Sequence, residues 1–140
     1  MVMVDLPKKK VGVISCSGEG CIEGTISRVA TRMVLEKLRP DQTVTICLPL
    51  FLAGGEEERA FARYYPTITV DGCEKLCAKV GTERYSGKAA SSIIVTDLAR
   101  NPGCSMLASA RQLDQEGVTF AEKVAQRIAQ EVDEVLKHWR

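Results

Sequence analysis

An excess of charge of either sign is missing from this sequence: 19 Lys and Arg stand against 18 Asp and Glu in 140 residues. Without a basic surplus there is no electrostatic footprint for nucleic acid or for an anionic membrane surface, so neither partner is expected. Long hydrophobic runs are missing too, and nothing approaches the roughly 20 apolar residues of a membrane span. The segment MVMVDLPKKKVGVISC places its charges behind its first apolar residues, the reverse of a secretory signal. The expectation is a cytoplasmic chain with no membrane partner. Histidine is nearly absent. Its single occurrence, His138, falls at the end of a helical pattern, where the dipole favours its charge, and histidine-based catalysis is not expected. No linker, low-complexity tract or internal repeat divides the chain, and its length suits one core. A single domain over residues 1–140 is expected.

What is present is a rhythm. A basic lead-in and a short apolar run end in a first strand over residues 8–15, and CSGEGCIEG follows as a glycine-rich loop. From 25 to 38 the apolar positions Ile26, Val29, Ala30, Met33, Val34 and Leu38 recur at spacings of three and four, with Pro40 as a stop, which predicts a helix. A second strand is predicted over 43–51, closed by Pro49, then a short helix over 56–65. A third strand over 67–70 meets Asp71-Gly72, and a helix over 74–80 is closed by Gly81 as C-cap. A fourth strand is predicted over 91–98. After the loop ARNPGCSM a last amphipathic helix spans 119–138, with Thr119 and Glu122 as a capping box. That helix is expected to cover the sheet or to form part of a homodimer face. Strands that alternate with helices and read as continuous apolar runs imply a parallel sheet covered on both faces. The expected class is α/β, a three-layer sandwich of Rossmann or flavodoxin-like kind with strand order 2-1-3-4.

Six cysteines in such a chain do not suggest a disulfide framework, because a core of this size needs no staples and reducing cytosol disfavours them. Taken singly, each is as well explained as a small buried hydrophobe. Taken together, Cys16, Cys47, Cys73 and Cys77 fall at the carboxyl ends of the first three strands, the edge where open α/β sheets bind ligands. Neighbouring strands lie ~4.8 Å apart. Tetrahedral zinc, with Zn–S of about 2.3 Å, wants sulfurs roughly 3.7–3.8 Å from one another. Cys73 and Cys77, one turn apart at a helix start, are expected to share a face. A helix N-terminus, with Lys75 and Lys79 nearby, would stabilise the charge of about −2 on zinc with four thiolates, and would equally activate a free thiol. Cys21 is an alternative ligand to Cys47, and Cys104, beyond the fourth strand, ranks last.

Other chemistries fit less well. Gly18, Gly20 and Gly24 make G-x-G-x-x-x-G, one residue too long for a dinucleotide fingerprint, and no acidic residue ends the second strand. The P-loop lysine is missing. A phosphatase-type thiol loop needs an arginine at the helix start, whereas Arg28 already lies inside the helix. A thioredoxin-like site wants Cys-x-x-Cys, and the spacings here are x4 and x3. Asp71 and Asp97, at strand ends, suit turn and cap duties as well as ligand orientation.

The ordered set CSGEG, ICLPL and VDGCEKLCA resembles the DGC-domain family, small bacterial and archaeal proteins to which zinc binding is ascribed, over roughly residues 11–98. The resemblance implies four chelating cysteines, matching Cys16, Cys47, Cys73 and Cys77, and names no reaction. The expected function is therefore zinc binding in a structural or metal-handling role. The alternatives are a thiol-dependent redox enzyme or sensor using Cys73 or Cys16, and an anion or nucleotide pocket at Gly18, Gly20 and Gly24.

Overall fold

The computed structural model describes residues 9–99 and 111–139. Cys104 and most of the ARNPGCSM loop lie outside them. Four parallel strands form one sheet in the order β2-β1-β3-β4, with β1 at Val11–Ser15, β2 at Thr43–Val44, β3 at Thr67–Asp71 and β4 at Ser91–Ile94. The two inner strands are buried along almost their whole length; β1 is mainly apolar, while β3 sets Ile68 and Val70 on one face and Thr67, Thr69 and Asp71 on the other. Gly12 pairs with Thr67 and Ser15 with Val70, so β1 and β3 end level with each other.

Helices cover the two faces unequally. On one side α1 (Ile22–Met33) and α7 (Gln115–Lys137) pack against each other and against the sheet. Ile26, Ala30, Val124, Ile128 and Val132 meet Val11, Val13, Ile68 and Val70 there in the main core. Period 3.6 is what puts those helical residues on one stripe. The last helix thus spends its apolar face within the chain. The other face carries short helices, α2 (Leu50–Ala53), α3 (Glu56–Arg59), α4 (Phe61–Tyr64) and α5 (Cys77–Tyr85), around a small cluster of Ile14, Phe51 and Ala78. A one-turn α6 (Val95–Leu98) follows β4. No helix among the described residues is long and apolar enough to cross a membrane.

The α/β class and strand order agree with the sequence pattern; several boundaries do not. The second strand pairs only over Thr43–Val44. Beyond it the Thr45 hydroxyl donates to Val13 O at 2.6 Å, and Leu50 N donates to Cys47 O at 3.0 Å, so the chain is already turning at Cys47. β-Branched residues on an edge strand satisfied the propensity without making the ladder. The fourth strand likewise stops at Ile94. The first helix begins at Ile22 with Gly24 inside it, and continues past Met33 as a π-turn, Val34–Leu38, in which Arg39 N reaches Val34 O. The fifth helix starts at Cys77 rather than at Glu74 and passes through Gly81. The last helix starts at Gln115, capped by Asp114, whose carboxylate accepts from Gly117 N at 2.8 Å. Thr119 is therefore interior to it and caps nothing.

Candidate functional site

Cys16 stands at the centre of the carboxyl edge. Its N–H donates to Val70 O at 2.9 Å, which keeps it in the β1–β3 ladder one residue past β1. Ser17 then takes a left-handed conformation with φ 55° and turns the chain away. The Cys16 sulfur accepts the Gly72 N–H at 3.3 Å and lies 3.4 Å from Ser27 Oγ. The Ser27 proton is committed to Gly24 O at 2.6 Å, so in its contact with Ser27 the Cys16 thiol is the donor. One sulfur thus joins the loop after β1, the first turns of α1 and the turn after β3.

The Asp71-Gly72-Cys73 turn is shaped by three separate needs. Asp71 is 1% exposed and accepts from Ala78 N at 2.6 Å and Lys79 N at 3.1 Å. It supplies the cap that Leu76, itself at φ 56° at the N-cap of α5, does not. Burial pushes the Asp71 carboxyl up, against the pull of those two N–H groups and of Lys79. Gly72 is required by space, since a Cβ there would sit 2.6 Å from Gly24 N and 2.8 Å from Glu23 C. A Cβ on Gly24 would in turn overlap Gly18 O. The two loops touch backbone to backbone, and Gly24, which the sequence pattern offered to an anion loop, is explained by this packing.

Cys73 is half-buried and Cys77 exposed. They do not share a helix face: Cys73 lies in the turn before α5, where Leu76 N donates to Cys73 O at 3.2 Å. Partial desolvation pushes the Cys77 thiol up, and the neighbouring Cys16, Asp71 and Cys73 push it further. Cys16, Cys73 and Cys77 therefore share one electrostatic neighbourhood. Cys47 stands apart, exposed in the irregular stretch after β2, and meets Cys16 only as a fellow lining residue of a cavity of about 590 Å³. Cys21 is buried at the N-cap of α1. Among the described residues no three His, Cys, Asp or Glu side chains are placed, as they stand, to hold a metal ion. Thiols are donors of the soft kind that zinc takes, and Cys16, Cys73 and Cys77 follow the adjacent strands β1 and β3 at one sheet edge.

His138 is exposed beside Glu134 at the end of α7, and Asp97 is exposed on α6. Sequence patterning missed Ser27, which organises Cys16. It also passed over Thr25, Ser27 and Thr31, which are buried on α1 although they read as its polar side, and of which Thr31 lines the cavity. A family model for the DGC domain matches residues 12–118. No curated protein and no solved structure matches the chain.

Proposed function

The chain belongs to the DGC-domain family, and from that membership we propose that it binds one zinc ion through Cys16, Cys47, Cys73 and Cys77. The observation that carries the proposal is the position of Cys16: its sulfur accepts from Gly72 N beside Cys73, and the Cys77 thiol feels both Cys16 and Cys73. An N–H aimed at that sulfur treats it as an acceptor, which is also the role of a metal-bound thiolate. Cys47 completes the set from the irregular segment after β2, where no ladder hydrogen bond holds it back. With four thiolates the site would be coordinatively closed, cross-linking three strand ends in a structural or metal-handling role. We place the protein in the cytoplasm, where such thiols stay reduced.

Metal analysis of the purified chain and of its Cys73→Ser and Cys77→Ser variants tests this. Zinc at one ion per chain in the wild type, lost from both variants, is expected; zinc retained at that level by both would overturn it.

The same contacts favour a second function, a redox enzyme or sensor in which Cys16 or Cys73 attacks and a neighbour resolves. Cys77, pushed toward its protonated form, is less suited to make the first attack. Native protein free of zinc that forms a reversible disulfide under mild peroxide would select this function over the first.

A further inference from the structure

The cavity that Cys16 and Cys47 border lies between α1 and the 45–49 segment, beyond the ends of β1 and β2. Its chemistry is not mainly that of the thiols. Arg28, in the second turn of α1, lines it, and its Nε is shut off from solvent with no hydrogen-bond partner. No carboxylate among the described residues pairs with its guanidinium, whereas Arg32, one turn on, is held by Glu36. Thr31 Oγ1, on the same wall, is also buried and unpartnered. Buried donors without acceptors are costly and uncommon. Two on one wall of one cavity point to an acceptor that arrives from outside.

A planar cationic fork beside a hydroxyl recognises an oxyanion. Apolar surface comes from Ile46 and Leu48 on the side across from α1 and from Leu35, one turn past Thr31 on the helical side, and about 590 Å³ is far more than an inorganic ion fills. We propose that this cavity binds a small organic anion, a carboxylate or a phosphate monoester. Its oxyanion sits on Arg28 and Thr31 and its carbon body lies against Leu35, Ile46 and Leu48. None of these residues is a proposed metal ligand, so the site stands or falls apart from the zinc centre. A bound anion would nonetheless lie beside Cys16 and Cys47.

Calorimetric titration of the purified chain, with whatever metal it carries as isolated, with benzoate, phenyl phosphate and inorganic phosphate tests the site. Saturable binding of at least one organic probe, tighter than that of inorganic phosphate, is expected. The difference between benzoate and phenyl phosphate tells which headgroup the site takes. Arg28→Gln should weaken that binding about tenfold or more, the worth of a charge-assisted hydrogen bond, and Arg28→Lys should restore part of it. Thr31→Val should weaken it about threefold or more. No saturable binding of either organic probe by the wild type, or undiminished binding by Arg28→Gln, overturns the proposal. Should Arg28→Gln fail to fold, undiminished binding by Thr31→Val does so.

Discussion

Three glycines near the cysteines differ in what surrounds them. At Gly72 the missing side chain is replaced by the backbone of Glu23 and Gly24 in the opposite loop, and at Gly24 by the backbone of Gly18 in its own; neither has a rotamer to yield, while around Gly20 nothing lies within 4 Å of an added Cβ. Overpacking of that kind costs about 1–3 kcal/mol. Gly24→Ala and Gly72→Ala should each lower the unfolding free energy by that amount and disturb the Gly72 N–H contact to Cys16, whereas Gly20→Ala should change it by less than about 0.5 kcal/mol. A chemical-denaturation series over the three variants checks this, and equal effects would refute it. At this scale much was legible in the chain. The βα rhythm alone sets Cys16 and Cys73 at neighbouring strand ends. Ser27 and Arg28 were not legible, because a buried polar residue leaves no periodic trace and its value lies in contacts made across the fold.

Elements are joined by features of another kind. Arg39, just past the π-turn, grips Asp133 on α7 with two parallel hydrogen bonds of 2.9 and 2.8 Å. The hydrogen bond from Arg39 holds the Asp133 carboxyl below the usual range, outweighing the desolvation that opposes it, and the charge of Arg39 adds to the lowering. A carboxyl whose folded value is depressed binds fewer protons than in the unfolded chain. Its stabilisation is therefore present above about pH 3.9, the unfolded value, and is lost as the pH falls through the folded one. Asp133 is half exposed, so the pair contributes a few tenths to about 1 kcal/mol. Thermal unfolding of wild type and Asp133→Asn should differ by that much at neutral pH and converge below about pH 3.9, and added salt should shrink the difference. A gap that widened on acidification would contradict the assignment. The long elements, β1, β3, α1 and α7, were readable because burial imposes a period on many residues at once. Short ones were misread where a local contact overrode propensity: the Thr45 hydroxyl in place of a strand, and Asp71 capping α5 from across a turn.

For the whole molecule, the two faces of the sheet are unequal. One is closed by two long helices over a continuous core, the other by one-turn helices and α5 around three buried side chains. The cysteines border the thinner side: Cys16 packs against that smaller cluster, and Cys77 opens α5. A ligand that binds only the folded state adds stability by mass action. If zinc is bound as proposed, removing it with a chelator should therefore lower the thermal midpoint of the wild type by several degrees and leave Cys73→Ser unmoved. An unchanged wild-type midpoint would separate the metal from the fold. There is also a matter of timing. β1 is flanked on both sides by strands that come later in the chain, and Cys16 waits 56 residues for Gly72. At synthesis rates of about 5–20 residues per second, that interval lasts roughly 3–11 s. Through it the Cys16 thiol leaves the ribosome with neither Val70 nor Gly72 beside it, open to any oxidant or stray metal it meets.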